Sequence, residues 1–192
     1  SKGLEERFKG YERFLAHNPE AASQLFFLQI APPSRADIGS YQEIRARLEQ
    51  LSGQINGAFA EIDWVPLRYV NRGYSRRQLA GIYRAACVGL VTPLRDGMNL
   101  VAKEYVAAQN PKDPGVLILS QFAGAAEQMG EALLINPYNL EEIADSIARA
   151  LAMPLTERLR RFEPLLHGVM TDEVTRWRTD FVDALKRAPR KG

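Results

Sequence analysis

One cysteine, Cys87, stands in a chain of 192 residues, which excludes an internal disulfide and a cysteine-based metal cluster. Lying beside an apolar run, it is expected to behave as a small buried hydrophobe. Histidine is almost as scarce: His17 and His167 are not at metal-ligand spacing and complete no Ser-His-Asp set, so both are read as structural and no metal site is expected. No apolar run approaches the roughly 18 residues that span a bilayer, so no membrane partner is expected. No secretory signal pattern is visible, which makes the cytoplasm the expected compartment. A net charge of +2 lacks the basic stripe of a nucleic-acid binder. The one basic cluster, Lys186 and Arg187 with Arg190 and Lys191, reads as a solvated tail. The glycine fingerprint of dinucleotide-binding folds is absent, which counts against a dehydrogenase. There is neither an internal repeat nor a low-complexity segment.

The composition, 46% hydrophobic and 25% charged, is that of an ordinary soluble globular protein. A chain of this length can bury a full core, so a single domain over 1–192 is expected, ending in two helices from about residue 140. Apolar periods alternate along it between helical and extended types, the mark of an α/β fold with a mostly parallel sheet. The reading gives a helix over 4–17, a strand over 24–30 stopped by Pro32 and Pro33, and a long helix over 41–59 with Tyr41, Ile44, Leu48, Leu51 and Ile55 on its apolar face. A strand over 66–70 follows, then a helix capped by Ser75 and reaching about residue 86. Further strands are expected over 88–92, 116–119 and 132–135. A helix over 96–109 follows the first of these, and a short helix begins at 122–126. Two terminal helices cover about 140–152 and 154–186, the second bent near Pro164 or Gly168.

The opening is unusual. Ser1, Lys2 and Gly3 read as a loop entering a helix, with no strand ahead of them, whereas an α/β sheet normally opens with the strand that feeds such a loop. The expectation is therefore a Rossmann-like sheet with flanking helices whose first strand is missing, the chain being a fragment that also lacks an upstream partner domain.

In open α/β sheets ligands lie outside the carboxyl ends of the strands. The residues gathered there are Lys2, Ser34 and Arg35, Tyr74, the segment from Arg95 to Val101 with Glu104, and the segment 121–125. The set is polar, basic where phosphates would sit, and rich in small residues that let backbone approach a ligand. Each member has a plain structural role to set against a functional one. Asp96 could simply cap the following helix, or accept hydrogen bonds from sugar hydroxyls while the N–H groups of Met98 to Val101 face a diphosphate or glycosyl unit. Glu104 could be an exposed helix residue, or the bidentate acceptor for two ribose hydroxyls. Lys2 could be a solvated lysine or a point charge on a diphosphate. Arg35 could pair with Asp37 or clamp a phosphate, Tyr74 could cover the core edge or pack on a base, and Gly124 could exist only for tight packing. On a continuous helix the eight residues from Asp96 to Glu104 would rise about 12 Å. That exceeds the roughly 5–9.5 Å between glycosidase carboxylates, so two recognition points fit better than a hydrolytic acid/base pair.

The words that carry a family resemblance are SKGL at 1–4, QIAPPSR at 29–35, ING at 55–57, GLVTPLRDGMNLVAKEY at 89–105, LSQFAGAA at 119–126 and NP at 136–137. In this order and spacing they resemble the trehalose-6-phosphate synthase family of retaining glycosyltransferases, over almost the whole chain. The 89–105 word is highly specific; SKGL alone would be weak. The resemblance implies the C-terminal, nucleotide-sugar-binding half of a two-domain GT-B enzyme. That enzyme transfers glucose from UDP-glucose to glucose 6-phosphate, forming trehalose 6-phosphate.

By match to the family's motifs, Lys2 would contact the donor diphosphate and Asp96 the hydroxyls of the transferred glucose, these two being the catalytic candidates. The donor-binding set would be Lys2, Tyr74, Asp96, Gly97, Met98, Asn99, Leu100, Val101, Ala102, Lys103 and Glu104, with Glu104 on the ribose and Tyr74 at a base-side position where the family varies. Arg35 would reach the phosphate of glucose 6-phosphate. No cofactor is implied, UDP-glucose being a substrate. The implied partners are the two substrates and the N-terminal GT-B domain, and a homo-oligomer is left open. The family's arginine ahead of SKG is not in this chain, so the resemblance implies an incomplete donor site with little or no turnover. The rivals are another GT-B transferase, of glycogen or sucrose type, and a non-catalytic nucleotide-sugar-binding module. The sequence does not separate UDP from GDP or ADP.

Overall fold

A computed structural model describes residues 1–21, 23–32, 39–171 and 174–187. Five strands and seven helices follow one another in these residues: α1 Leu4–His17, β1 Phe27–Ile30, α2 Gly39–Phe59, β2 Leu67–Val70, α3 Arg76–Ala85, β3 Val88–Val91, α4 Leu100–Ala108, β4 Val116–Ser120, β5 Leu133–Ile135, α5 Leu140–Leu151, α6 Leu155–Thr171 and α7 Val174–Arg187. Short 3-10 turns cover Pro19–Ala21 and Gly124–Glu127. The strands pair in parallel, β1 with β2, β3 with β4, and β4 with β5, as expected of an α/β alternation. The single sheet expected is two sheets among the described residues, because no ladder joins β1 to β3.

Packing follows from periodicity. In α1 the stripe Phe8, Tyr11, Phe14 and Leu15 is buried, and Gly10 lets Ile143 of α5 come close, since a Cβ there would lie 2.4 Å from its Cγ2. Phe8 meets the ring of Phe27 edge-on at 6.0 Å and that of Tyr69 at 5.7 Å, so α1 spans β1 and β2. Strand β4 is buried at every residue. Its Val116 and Ile118 join the core beneath α1, α2 and α5, while Leu117 and Leu119 join a second core with Val106 and Phe162. Alternate side chains of one strand thus feed helical layers on both faces.

Local chemistry sets several boundaries. Ser75 caps α3 in a reciprocal box with Gln78, as its sequence suggests. Asn56 donates from Nδ2 to Leu67 O at 2.9 Å and accepts from Leu67 N at 3.0 Å, so its amide pins α2 to the start of β2.

Three expectations change. Ile44 is exposed, although Leu48, Leu51 and Ile55 of the same stripe join the core; the Tyr41 side chain lies outside what is described. Cys87 is exposed rather than buried, sitting one residue before β3 with its carbonyl accepting from Val116 N. Of the terminal helix expected over 154–186, the described residues are helical over Leu155–Thr171 (α6) and Val174–Arg187 (α7), residues 172–173 lying outside the described residues, and Pro164 sits inside α6 without ending it. The helix expected from residue 96 begins at Leu100, for the reason given below.

Candidate functional site at the carboxyl ends of β3 and β4

Strand β3 ends in buried Val91, and the chain turns through Thr92 and Pro93 into a polar elbow. The first residues of the chain lie along this turn. Ser1 O accepts from Leu94 N at 2.9 Å and from Arg95 N at 3.4 Å. Gly3 takes φ 64°, and a Cβ there would fall 2.0 Å from Thr92 O. Only glycine meets both demands at once. The stitch brings the Lys2 ammonium to Asp96, Nζ donating to Oδ2 at 2.6 Å.

Asp96 is held from three sides. Besides Lys2, Asn99 Nδ2 donates to Oδ2 at 3.2 Å and Met98 N to Oδ1 at 3.5 Å. The Lys2 hydrogen bond is the main reason its carboxyl titrates below the usual range; partial burial opposes this, and the Lys2 charge, Met98 N–H and Asn99 assist. Its backbone is tied to the loop after β4: Asp96 N donates to Phe122 O at 3.2 Å, and Gly124 N to Asp96 O at 3.0 Å. Ala125 N donates to Met98 O at 2.9 Å. A Cβ on Gly124 would lie 2.1 Å from Gly97 O, so this glycine does more than tighten a short helix: it lets the two loops touch.

These ties pull Asp96 out of the helix. Asn99 takes the capping position instead, in a left-handed conformation with φ 75°, its Oδ1 accepting from Ala102 N at 3.1 Å. The separation of Asp96 from Glu104 is therefore not one of eight helical steps, since only 100–104 is helical. Met98, Leu100 and Val101 are exposed at the helix entrance. Lys103 donates to Gln128 Oε1 at 2.8 Å. Glu104 is exposed one turn on; burial first, then the charge of Glu104, raises the Tyr83 hydroxyl pKa.

Lys2, Asp96, Gly97, Met98 and Asn99 thus form one bonded group, with Leu100 to Glu104 leading away from it along α4. Tyr74 is held separately, accepting from Arg72 Nε at 2.9 Å with the same guanidinium 4.9 Å from its ring centre. Ser34 and Arg35 lie outside the described residues.

One polar residue of the site was not foreseen. Arg7, on the inner face of α1, donates from Nε to Thr92 Oγ1 at 3.0 Å, from Nη1 to Gln29 Oε1 at 2.9 Å and from Nη2 to Lys2 O at 3.2 Å. Its signal in the sequence is position: it lies three residues after Leu4 and four before Tyr11, on the buried stripe.

Parallel strands between helical layers, with a charged elbow, capped helix and glycine contact at the strand ends, define an α/β protein with a polar cleft outside its strand ends, where such folds carry their ligand sites. The family model for glycosyltransferase family 20 matches residues 1–187, and the chain belongs to that family. A trehalose-6-phosphate synthase of an Enterobacter species is 51% identical over 187 residues, 97% of this chain and 40% of its own length. A trehalose-phosphate synthase structure from Burkholderia xenovorans in complex with glucose-6-phosphate is 52% identical with a TM-score of 0.93, covering 97% of this chain and 41% of that one. An E. coli structure bound with UDP-2-fluoro glucose is 49% identical with a TM-score of 0.93, over 98% of this chain and 42% of that one. The chain therefore spans about 40% of the length of the curated relatives it matches. The α/β architecture is that of the matching part of a GT-B glycosyltransferase.

Proposed function

We propose that this chain is the donor-binding domain, over 1–192, of a retaining glycosyltransferase that moves glucose from UDP-glucose to glucose 6-phosphate, giving trehalose 6-phosphate and UDP. The observation that carries the reading is the Lys2–Asp96 pair at the strand ends, with a cationic and an anionic group presented side by side at 2.6 Å. Lys2 is 65% exposed and Asp96 15%. With its lysine end in solvent, such an ion pair is worth about 0–1 kcal/mol and is cheaply parted by a ligand. Lys2 then takes the diphosphate, and Asp96 the hydroxyls of the transferred glucose.

The other roles follow along the segment. The backbone from Gly97 through Val101 lies against sugar and phosphates, where the first-turn N–H groups of α4 favour negative charge. Ala102 and Lys103 continue that wall, Glu104 takes the ribose hydroxyls, and Tyr74 stands on the base side. Arg35 is assigned to the acceptor phosphate.

As the glycosidic bond to the diphosphate breaks, negative charge grows on the leaving oxygen. Lys2 and the helix N-terminus stabilise it. The acceptor hydroxyl attacks from the same face and its proton passes to the departing phosphate oxygen, so catalysis is mostly positioning and electrostatics. This donor set supplies the positive charge itself, and we read the transfer as needing no metal or organic cofactor. The acceptor half is assigned to the remaining length that the relatives possess, with turnover by this chain alone low. The compartment is read as the cytoplasm, and a homo-oligomer is compatible with the reading.

The test is calorimetric titration of UDP, with GDP and ADP as comparators, into the chain and into an Asp96→Ala/Glu104→Ala variant. Selective UDP binding lost in the variant supports the donor reading; equal binding by both proteins overturns the site.

A further inference from the structure

Arg7 is 8% exposed, and all three groups that receive its hydrogen bonds are neutral: a threonine hydroxyl, a glutamine amide and a backbone carbonyl. Among the described residues no carboxylate lies within ion-pair distance of it. Among the described side chains, the two other arginines of low exposure differ. Arg158 meets Asp113 at 2.6 Å, and Arg161 meets Glu157 at 2.9 Å. Burying a guanidinium without a counter-charge is costly, and such groups are normally paired. Desolvation lowers the Arg7 pKa to about 10, the charge of nearby Glu6 opposing part of the fall, which leaves it charged at neutral pH.

Its partners say where that charge is directed. Gln29 is in the carboxyl half of β1 and Thr92 immediately follows β3, the two strands that no ladder joins. Lys2 O belongs to the loop that carries the Lys2 ammonium. Gln29 is itself fixed, since its Nε2 donates to Ile30 O at 3.0 Å. One guanidinium thus locks both strand ends and the Lys2 loop, directly behind the Lys2–Asp96 pair.

Resting on the donor-diphosphate reading above, we propose that Arg7 is a positioning residue for the anionic ligand. Its three-way fork sets the Lys2 loop, and its charge, directly paired with no carboxylate among the described residues, lies beneath the diphosphate as a counter-charge for the ligand. A buried charge is screened by salt far less than the exposed Lys2 ammonium. Arg7 therefore sustains the part of the affinity that survives added salt. Lysine at this position keeps a charge but cannot make three bonds in fork geometry.

The test is a titration of the chain with UDP and, separately, with uridine, followed by NMR at low and high salt, on the unsubstituted protein and on Arg7→Met and Arg7→Lys. Circular-dichroism melting of each protein establishes folding. In Arg7→Met, UDP affinity is expected to fall about tenfold to a hundredfold at both salt concentrations, with uridine affinity unchanged. Arg7→Lys is expected to recover part of the loss.

A folded Arg7→Met that binds UDP as the unsubstituted protein does overturns the proposal. So does an equal loss of UDP and uridine, which marks a purely structural role. If Arg7→Met does not fold, Arg7→Lys decides alone: unchanged UDP affinity overturns the proposal, and a drop confined to UDP supports it. An unsubstituted chain that binds UDP no better than uridine overturns the donor reading itself, a result distinct from failure of the Arg7 assignment.

Discussion

The Lys2 ammonium and the Asp96 carboxylate meet at 2.6 Å although ninety-four positions separate them in the chain. The contact is made by side chains, but it is set by backbone: Ser1 O on the N–H groups of Leu94 and Arg95, and Gly3 against Thr92. Loss of the side-chain pair should therefore leave the fold largely intact. Lys2→Ala is expected to change stability in urea by no more than about 0.5 kcal/mol. UDP affinity in the same variant is expected to fall about tenfold or more, measured by calorimetry.

Acid should act on the same pair. The folded-state carboxyl of Asp96 lies below its ordinary value of 3.8, chiefly through the Lys2 hydrogen bond. For a depressed acid, the stabilisation is full above the unfolded value and disappears as pH falls through the folded one. The pair is thus expected to persist unchanged from pH 7 to 5 and to be lost only below about pH 4. Carbon-13 NMR titration of the Asp96 carboxyl checks this; a midpoint above the ordinary value would contradict it.

Asn99 combines a left-handed backbone with a side-chain cap. Asn99→Ala loses the cap and strains the backbone, together about 2 kcal/mol. Asn99→Gly loses the cap but relaxes the backbone, and is expected to cost only a few tenths of a kcal/mol. Denaturant melts of the two variants separate these terms, and equal losses would show that conformation plays no part.

The two glycines of the loop contact should behave oppositely. Gly124→Ala drives a methyl group into Gly97 O, and is expected to cost about 1–3 kcal/mol and to displace the Asp96 elbow. Gly97→Ala meets nothing within 4 Å and should fold normally, so any effect on it appears in ligand titration alone. Thermal melts with UDP titrations of both variants make the comparison.

The alternation of strand and helix was legible because apolar period is a local property. Helix α1 runs over the residues its stripe indicates, and Ser75 caps α3 as its sequence suggests. The start of α4 was not legible. Asp96 and Asn99 are both good capping residues, and only the bonds to Phe122, Gly124 and Ala125 decide between them. The exposure of Cys87 and Ile44 likewise depends on which neighbours arrive, not on hydropathy. In the site, the residues from Asp96 to Glu104 announce themselves by composition and by the family word around them. Arg7 does not: a charged residue on an apolar stripe is a weak signal until its partners Thr92 and Gln29 are brought to it by folding.

Among the described residues no ladder joins β1 to β3, so α1 lies like a beam across a pair of separate plates. Parallel pairing turns alternate peptide groups toward opposite sides of a strand. With Phe27 N bonded to Pro66 O and Ala31 N to Val70 O, the amides of Leu28 and Ile30 face away from β2. Through Phe8, Tyr11 and Arg7, α1 carries force between the plates by contact and side-chain bonds rather than by a ladder. Under tension or during slow amide exchange, the two ribbons would register as separate blocks, and the beam between them carries the residue that grips the Lys2 loop.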